Sequence, residues 1–251
     1  MTAVLYALAK GVTGFIHTPW GVGELLIGIF VPAFFAVVCD TWSVAIGAGL
    51  GTFLGDTFFL TQAGSTNPPL SLIAGVPANF VAFLLFGWFV KKYRSWSGFV
   101  AATVSFVTLG NLIAATSIVL FGANVFTALK PIVAGYYAPA LIFGFTIFWT
   151  VTMIPIIIVV VPILVRAVKP IKGRSNVISN IPEWSETGLR ASIIASLLLA
   201  LVFISLVILY LPGVLGLSGY PVLTSEVALG IVGLVIVVPA AAIAATSRRP
   251  T

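Results

Sequence analysis

Residues 42–60 read WSVAIGAGLGTFLGDTFFL, and this stretch decides the fold. It carries a single charged residue, Asp56, over a length close to the ~20 apolar residues that cross a bilayer. Gly47, Gly51 and Gly55 recur every four residues, which places them on one face of a helix. Small residues at this spacing let a neighbouring helix approach closely. The stretch therefore predicts a membrane helix that packs through its glycines.

The composition of the whole chain extends this interpretation. Only 7% of the 251 residues are charged and 60% are hydrophobic, with a mean hydropathy of +1.20. Soluble domains carry about 25% charged residues, so this chain cannot cover a soluble fold with charge. We predict an all-α, polytopic membrane helix bundle, which excludes disordered, disulfide-framework and nucleic-acid-binding classes. The lone Cys39 and the lone His17 argue against a disulfide or a multi-histidine metal site, and we expect no cofactor.

Eight apolar segments are long enough, or nearly so, to be membrane helices. The first is the weakest, because it is short and contains Lys10. The sixth is long enough to require a tilt, or a bend at one of its prolines. A polar linker at residues 169–188 separates a six-segment core, residues 1–168, from a two-helix extension, residues 189–251. The predicted segments are residues 1–16, 24–39, 42–60, 70–90, 98–121, 136–165, 189–211 and 227–245.

Basic residues fall on one side of this arrangement. Ten of the 12 lysines and arginines form three groups: after the fourth segment, between the sixth and seventh, and at the C-terminus. Alternating crossings put all three groups on the same side, and the positive-inside rule makes that side cytoplasmic. We therefore expect a multi-pass protein of the cell membrane with both termini in the cytoplasm. The groups are Lys91, Lys92 and Arg94; Arg166, Lys169, Lys172, Arg174 and Arg190; and Arg248 and Arg249.

Polar and aromatic residues on the outer side are candidates for a binding site. Asp56 is an intramembrane acid and so a functional candidate, with a hydrated carboxylate at the membrane boundary as the alternative. Glu24 begins the second segment, where a carboxylate also suits the helix dipole. The amide of Asn79 either binds a ligand or joins two helices. Aromatic residues here either stack on a ligand or belong to the interfacial belt. We predict a substrate site formed by Trp20, Glu24, Asp56, Asn79, Tyr136 and Tyr137.

The remaining polar residues do not form a recognisable catalytic set. Asp40, at the inner end of the second segment, is expected to be the N-cap of the third helix. No serine–histidine pair in a known motif, acid cluster or phosphate loop is present in the sequence. We expect a protein that is not an enzyme, in which active transport needs an energy-supplying partner or an ion gradient.

Several features of residues 1–168 together match one transporter family. Residues 3–7, AVLYA, are similar to an Ala-x-x-x-Ala coupling motif, and residues 28–36, GIFVPAFFA, are similar to a second helix. Residues 47–56, GAGLGTFLGD, are similar to a glycine-rich third helix that ends in Gly-Asp. With the basic turn after the fourth segment and the long sixth segment, the core resembles the substrate-binding S components of energy-coupling factor (ECF) vitamin transporters. The two C-terminal helices depart from the six-helix pattern of that family.

The resemblance implies a membrane-embedded receptor for uptake of a vitamin or similar small molecule. It implies handover to an ECF module, made of a transmembrane coupling subunit and ATPase subunits, with Ala3 and Ala7 against the coupling subunit. Two other functions stay open. A non-catalytic accessory subunit of a larger membrane complex would co-purify in fixed stoichiometry and have no enclosed pocket. An ion-coupled secondary transporter would use Asp56 and an ion gradient, although no clear inverted repeat supports it.

Overall fold

The structure is a computed structural model, and part of the chain is described by it. The predictions for Trp20, Tyr136 and Tyr137, for most of the linker and for nearly all of the two-helix extension lie outside the described residues. The described residues are 1–14, 23–61, 64, 66–127, 129–135, 138–168, 184, 188 and 194.

Helices make up the regular structure of the described residues, which contain no strand. The predicted all-α class is therefore confirmed over this part of the chain. A 3-10 turn opens the second helix, and π-helical turns interrupt or end three others. The helices are α1 (Thr2–Thr13), α2 (Ile27–Val38), α3 (Thr41–Leu60), α4 (Pro68–Lys92), α5 (Trp96–Val125), α6 (Leu129–Gly135) and α7 (Ala138–Val168).

Four of these helices, α3, α4, α5 and α7, are long and apolar enough to cross a membrane. They are compatible with an integral membrane protein, as the composition predicts. The first helix has 12 residues and spans ~18 Å at ~1.5 Å per residue, short of a hydrocarbon core of ~30 Å. The second is similarly short. Six full crossings in the core, and the two further helices, stay predictions.

The last described helix, α7, is continuous through two prolines. It has 31 residues and contains Pro155 and Pro162. Each proline removes one hydrogen bond from the helix, yet the helix ends at neither. Phe145 and Ile157 on this helix are fully buried, so α7 forms one wall of the core.

The first helix packs on the glycine face of α3. A Cβ atom added at Gly51 would lie 2.8 Å from the backbone oxygen of Ala3. One added at Gly55 would lie 3.1 Å from the Cβ of Lys10, and one added at Gly47 would lie 2.8 Å from the Cβ of Thr2. The missing side chains therefore bring α1 into backbone contact with α3 and set Lys10 beside the end of α3.

Side-chain hydrogen bonds stabilise the helix ends at the end of the bundle that carries the basic turn. The Ser43 backbone N–H donates to the Asp40 carboxylate at 2.9 Å, so the predicted N-cap of α3 is confirmed. This hydrogen bond lowers the pKa of the Asp40 carboxyl, and its stabilisation is lost only as the pH falls through that lowered pKa. Lys91 Nζ donates to the carbonyl oxygen of Cys39 and, at 2.7 Å, to Thr41 Oγ1. The lysine thus ties α4 to the junction of α2 and α3.

Trp184 of the predicted linker packs at this same end of the bundle. The Trp184 ring centroid lies 4.7 Å from that of Phe99 and 5.2 Å from that of Trp96, both on α5. Aromatic pairs at these separations attract each other beyond the area they bury. The contact fastens this point of the linker to the start of α5.

We expect Gly51→Ala to lower the free energy of unfolding by about 1–3 kcal/mol, the usual cost of overpacking a tight contact. The new methyl group would meet backbone of α1, which cannot rotate away. Gly49→Ala is the matched control, because its Cβ would have its nearest neighbour at 3.5 Å, and alanine favours the helix. Thermal unfolding in detergent measures both variants. Equal stability of the two would contradict the packing of α1 on α3.

Candidate functional site

A cavity of about 80 Å³ lies among α1, α3, α4, α5 and α7. Asp56 near the end of α3 and Ser71 at the start of α4 line it, whereas Lys91 lies in the last turn of α4. The cavity and the basic turn are therefore at opposite ends of the bundle. One water needs ~10–15 Å³ of such space, so several waters or a small organic group fit. Its polar lining residues are Lys10, Glu24, Thr52, Asp56, Thr66, Ser71, Asn79 and Asn111, and the larger apolar ones include Leu26, Phe83, Ile118, Trp149 and Met153.

A buried ion cluster forms the polar part of the cavity. Lys10 Nζ lies 2.6 Å from Asp56 Oδ1 and 3.0 Å from Glu24 Oε1. The exposed fractions of Lys10, Glu24 and Asp56 are 3%, 4% and 5%. Charges held away from water are tolerated only when they are paired and hydrogen-bonded. The three side chains form such an arrangement and join three parts of the chain.

Wide helical turns place the acid and its neighbours. Asp56 begins the π-helical turn Asp56–Leu60, and Ser71 begins the π-helical turn Ser71–Gly75. The Ser71 hydroxyl donates to Asp56 Oδ2 at 2.6 Å, so α4 holds the second oxygen of this carboxylate. A third such turn, Ile118–Gly122 in α5, also borders the cavity. Isolated π-helical turns are rare and frequently mark functional sites.

Contacts of its backbone hold Glu24 in position. It precedes the 3-10 turn that opens α2, and Trp149 Nε1 of α7 donates to its carbonyl oxygen at 3.1 Å. A Cβ atom added at Gly28 would lie 2.9 Å from the Cβ of Ala9, so the start of α2 lies directly against α1. The indole and the glycine together bring the Glu24 carboxylate within reach of Lys10.

Two asparagines of the cavity wall also form hydrogen bonds between helices. Asn79 Nδ2 donates to the backbone oxygen of Gly75 at 2.9 Å, and Asn79 Oδ1 accepts a long bond, 3.4 Å, from the Tyr6 hydroxyl of α1. Asn111 Nδ2 donates to Thr150 Oγ1 at 3.1 Å and links α5 to α7. Each amide therefore supports helix packing at the same time as it lines the cavity.

The structure brings together half of the predicted substrate residues. Glu24, Asp56 and Asn79 surround one cavity, although they come from three separate predicted segments. Asp56 does not match the alternative of a hydrated boundary carboxylate, because it is buried and bonded to Lys10 and Ser71. The other predicted substrate residues lie outside the described part of the chain: Trp20, Tyr136 and Tyr137.

Sequence reasoning missed three residues that build the cluster. Lys10 was interpreted only as a sign that the first segment is a poor membrane helix. A lysine inside an apolar segment is, however, itself a functional candidate. The depth of Trp149 in its segment was a usable signal, since a buried indole N–H needs an acceptor. Ser71 gave no signal, because one serine near a predicted helix start has many possible roles.

The predicted partner residues lie largely in the interior of the described chain. Ala7 is buried, and the backbone of Ala3 packs against α3. The opposite face of α1 exposes Val4, Leu8 and Val12. Contact of Ala3 and Ala7 with a coupling subunit stays a prediction. A partner could reach the exposed face of α1, formed by Val4, Leu8 and Val12, without any change in the packing of the bundle.

Comparisons of the chain with protein-family models, with curated proteins and with solved structures found no match. Within the part of the chain that the structure describes, no group of three His, Cys, Asp or Glu residues could hold a metal ion. The cavity and its charged residues are therefore the features of the described chain that bear on its function.

Lys10→Met is expected to destabilise the protein by about 3–5 kcal/mol, because it leaves two buried carboxylates without their ammonium partner. The triple variant Lys10→Met, Glu24→Gln, Asp56→Asn removes all three charges and should regain most of that loss. Chemical unfolding in detergent micelles measures both. If Lys10→Met is as stable as the native chain, the ion cluster is not buried as described.

Proposed function

We propose that the chain is the membrane-embedded substrate-binding subunit of an uptake system for a vitamin or similar small molecule. The observation that carries the proposal is the cavity with a buried Lys10–Glu24–Asp56 cluster. Buried ionisable groups inside a membrane bundle are costly and mark substrate or ion pathways. A cavity that combines an apolar wall with a few placed polar groups is the usual form of a small-molecule site.

The position of the cavity suits capture from outside the cell. It lies at the end of the bundle opposite Lys91, Lys92 and Arg94. The positive-inside rule puts that basic turn in the cytoplasm, so the cavity belongs to the outer half. Drug-sized ligands occupy pockets of roughly 300–1,000 Å³. The described cavity, at about 80 Å³, would thus hold one polar part of a vitamin-sized molecule.

Release to the cytoplasm needs an energy source that this sequence does not encode, since it contains no phosphate loop or other ATP-binding signature. An ATP-driven ECF module, with a transmembrane coupling subunit and ATPase subunits, would supply it. The alternative of a non-catalytic accessory subunit predicts no enclosed pocket. A buried charge cluster beside a cavity therefore favours the binding function.

The ion cluster also supports a second candidate, an ion-coupled secondary transporter. Asp56 is a buried, ion-paired carboxylate, and proton relays in membrane proteins use acids of this kind. Such a transporter would work alone with an ion gradient, whereas a binding subunit would need its ATP-driven partner.

Native mass spectrometry of the gently purified chain is expected to show one co-purified small molecule per chain. Asp56→Asn and Asn79→Leu should lose that occupant, because both change the cavity wall. Asp40→Asn is the matched control, since it makes the same acid-to-amide change at an exposed N-cap. Unchanged occupancy in both cavity variants would contradict the proposed site.

The identified occupant then separates the two transport functions. In vesicles that contain only this chain, we expect binding without accumulation under a proton or sodium gradient. The measurement is uptake of the labelled occupant with and without the gradient. Accumulation driven by the gradient alone would contradict the ATP-dependent proposal and support the secondary transporter.

A further inference from the structure

The two lysines at the end of α4 have different surroundings. Lys91 Nζ donates to two oxygen atoms at the junction of α2 and α3. Lys92 is exposed, and its Nζ lies 4.8 Å from the ring centroid of Trp88 and 5.5 Å from that of Tyr93. No carboxylate of the described residues forms an ion pair with Lys92. Lys91 therefore stabilises the fold, whereas the charge of Lys92 faces outward.

The position of Lys92 along its helix matches that of phospholipid headgroups. It is the last residue of α4, a helix of 25 residues that is apolar enough to cross a membrane. The end of such a helix lies where the hydrocarbon core meets the headgroup region. Trp88 and Tyr93 are 53% and 45% exposed, and exposed tryptophan and tyrosine are enriched at this boundary. We therefore expect the Lys92 ammonium to lie level with the lipid phosphates.

Packing holds the rings that surround this ammonium. The Tyr93 ring centroid lies 4.5 Å from that of Phe89 on α4. A Cβ atom added at Gly98 would lie 2.8 Å from the Cβ of Tyr93, so the start of α5 packs directly on this residue. Trp88 is four residues before Lys92, and side chains at this spacing share one face of a helix. A positive charge that is already held in place binds an anion with a smaller loss of entropy.

The charge of this turn and its occupied ring faces indicate which lipid fits. An anionic headgroup is attracted by a cluster of bases at the membrane surface. A choline headgroup carries its own cation, which the bases repel. Choline also binds to aromatic faces, but the Lys92 ammonium already lies over both rings. Among the described residues of the turn and of the α2–α3 junction that it contacts, three bases stand against one acid: Lys91, Lys92 and Arg94 against Asp40.

We infer that the outward face of the α4–α5 turn, formed by Trp88, Lys92, Tyr93 and Arg94, binds the headgroup of an anionic phospholipid. The lipid phosphate contacts the Lys92 ammonium on the side away from the two rings, and the exposed Arg94 adds a second positive charge to the turn. Binding fixes the depth of the turn in the bilayer. The inference is independent of the proposed function, because the turn and the cavity are at opposite ends of the bundle.

Two lipids with the same acyl chains and different headgroups test the inference: palmitoyl-oleoyl phosphatidylglycerol and palmitoyl-oleoyl phosphatidylcholine. Each is titrated into the purified full-length chain in a neutral detergent, and native mass spectrometry gives the dissociation constant of the first bound lipid. We expect phosphatidylglycerol to bind at least roughly fivefold more tightly, which is the effect of one basic residue at an anionic surface. Inorganic phosphate at the same concentration should not displace it.

Variants locate the binding. Lys92→Gln should weaken phosphatidylglycerol binding about fivefold and leave phosphatidylcholine binding unchanged. Trp88→Leu should weaken it about two- to fivefold, because the ammonium loses a cation–π contact that holds it in place. Lys130→Gln is the matched control, since it removes the same charge from an exposed lysine of α6, which follows the far end of α5. It should bind like the native chain, and a melting transition without added lipid shows that each variant is folded.

Three results would overturn the inference. Equal affinity of the native chain for the two lipids would show that headgroup charge is not recognised. A preference for phosphatidylglycerol that persists in both Lys92→Gln and Trp88→Leu, or that Lys130→Gln reduces as much, would show that the turn is not the binding site. Displacement of the lipid by an equal concentration of inorganic phosphate would assign the turn to a free anion and not to a lipid.

Discussion

The ammonium group of Lys10 joins three parts of the chain that are distant in sequence. It contacts Glu24 before α2 and Asp56 near the end of α3, while Lys10 itself belongs to α1. Without the two carboxylates a lysine at this depth would be strongly unfavourable, and without the lysine the carboxylates would repel each other. The positions of α1, the start of α2 and the end of α3 are therefore coupled, and the cavity exists where they meet.

Close helix contact and widened helical turns make this interaction possible. Gly51 and Gly55 let α1 reach the backbone of α3, which sets Lys10 at the right height for Asp56. A π-helical turn that begins at Asp56 and another that begins at Ser71 bring the serine hydroxyl onto the same carboxylate. A ligand of the kind proposed would meet groups that packing already holds in place, and this would reduce the entropy lost on binding.

Part of this arrangement could be predicted from the sequence. The scarcity of charge indicates helices in a bilayer, and the four-residue spacing from Gly47 to Gly55 indicates the face on which α1 lies. Asp56 and Asn79 were recognisable because acids and amides are rare in apolar segments. The partnership of Lys10 with Glu24 and Asp56 was not recognisable, since residues 14 and 46 positions apart meet only through tertiary packing. The π-helical turns were also not predicted, because the spacing of apolar residues does not distinguish a π-helical turn from an α-helix.

Solid-state NMR in lipid bilayers tests the ion cluster most directly. The chain is labelled with ¹⁵N at lysine Nζ and with ¹³C at the aspartate and glutamate carboxyls, and the dipolar coupling between them is measured. Distances of 2.6 and 3.0 Å from Lys10 Nζ to the Asp56 and Glu24 oxygens predict a strong coupling that disappears in a Glu24→Gln, Asp56→Asn double variant. Absence of that coupling, or its persistence in the double variant, would contradict a Lys10 ammonium held between the two acids.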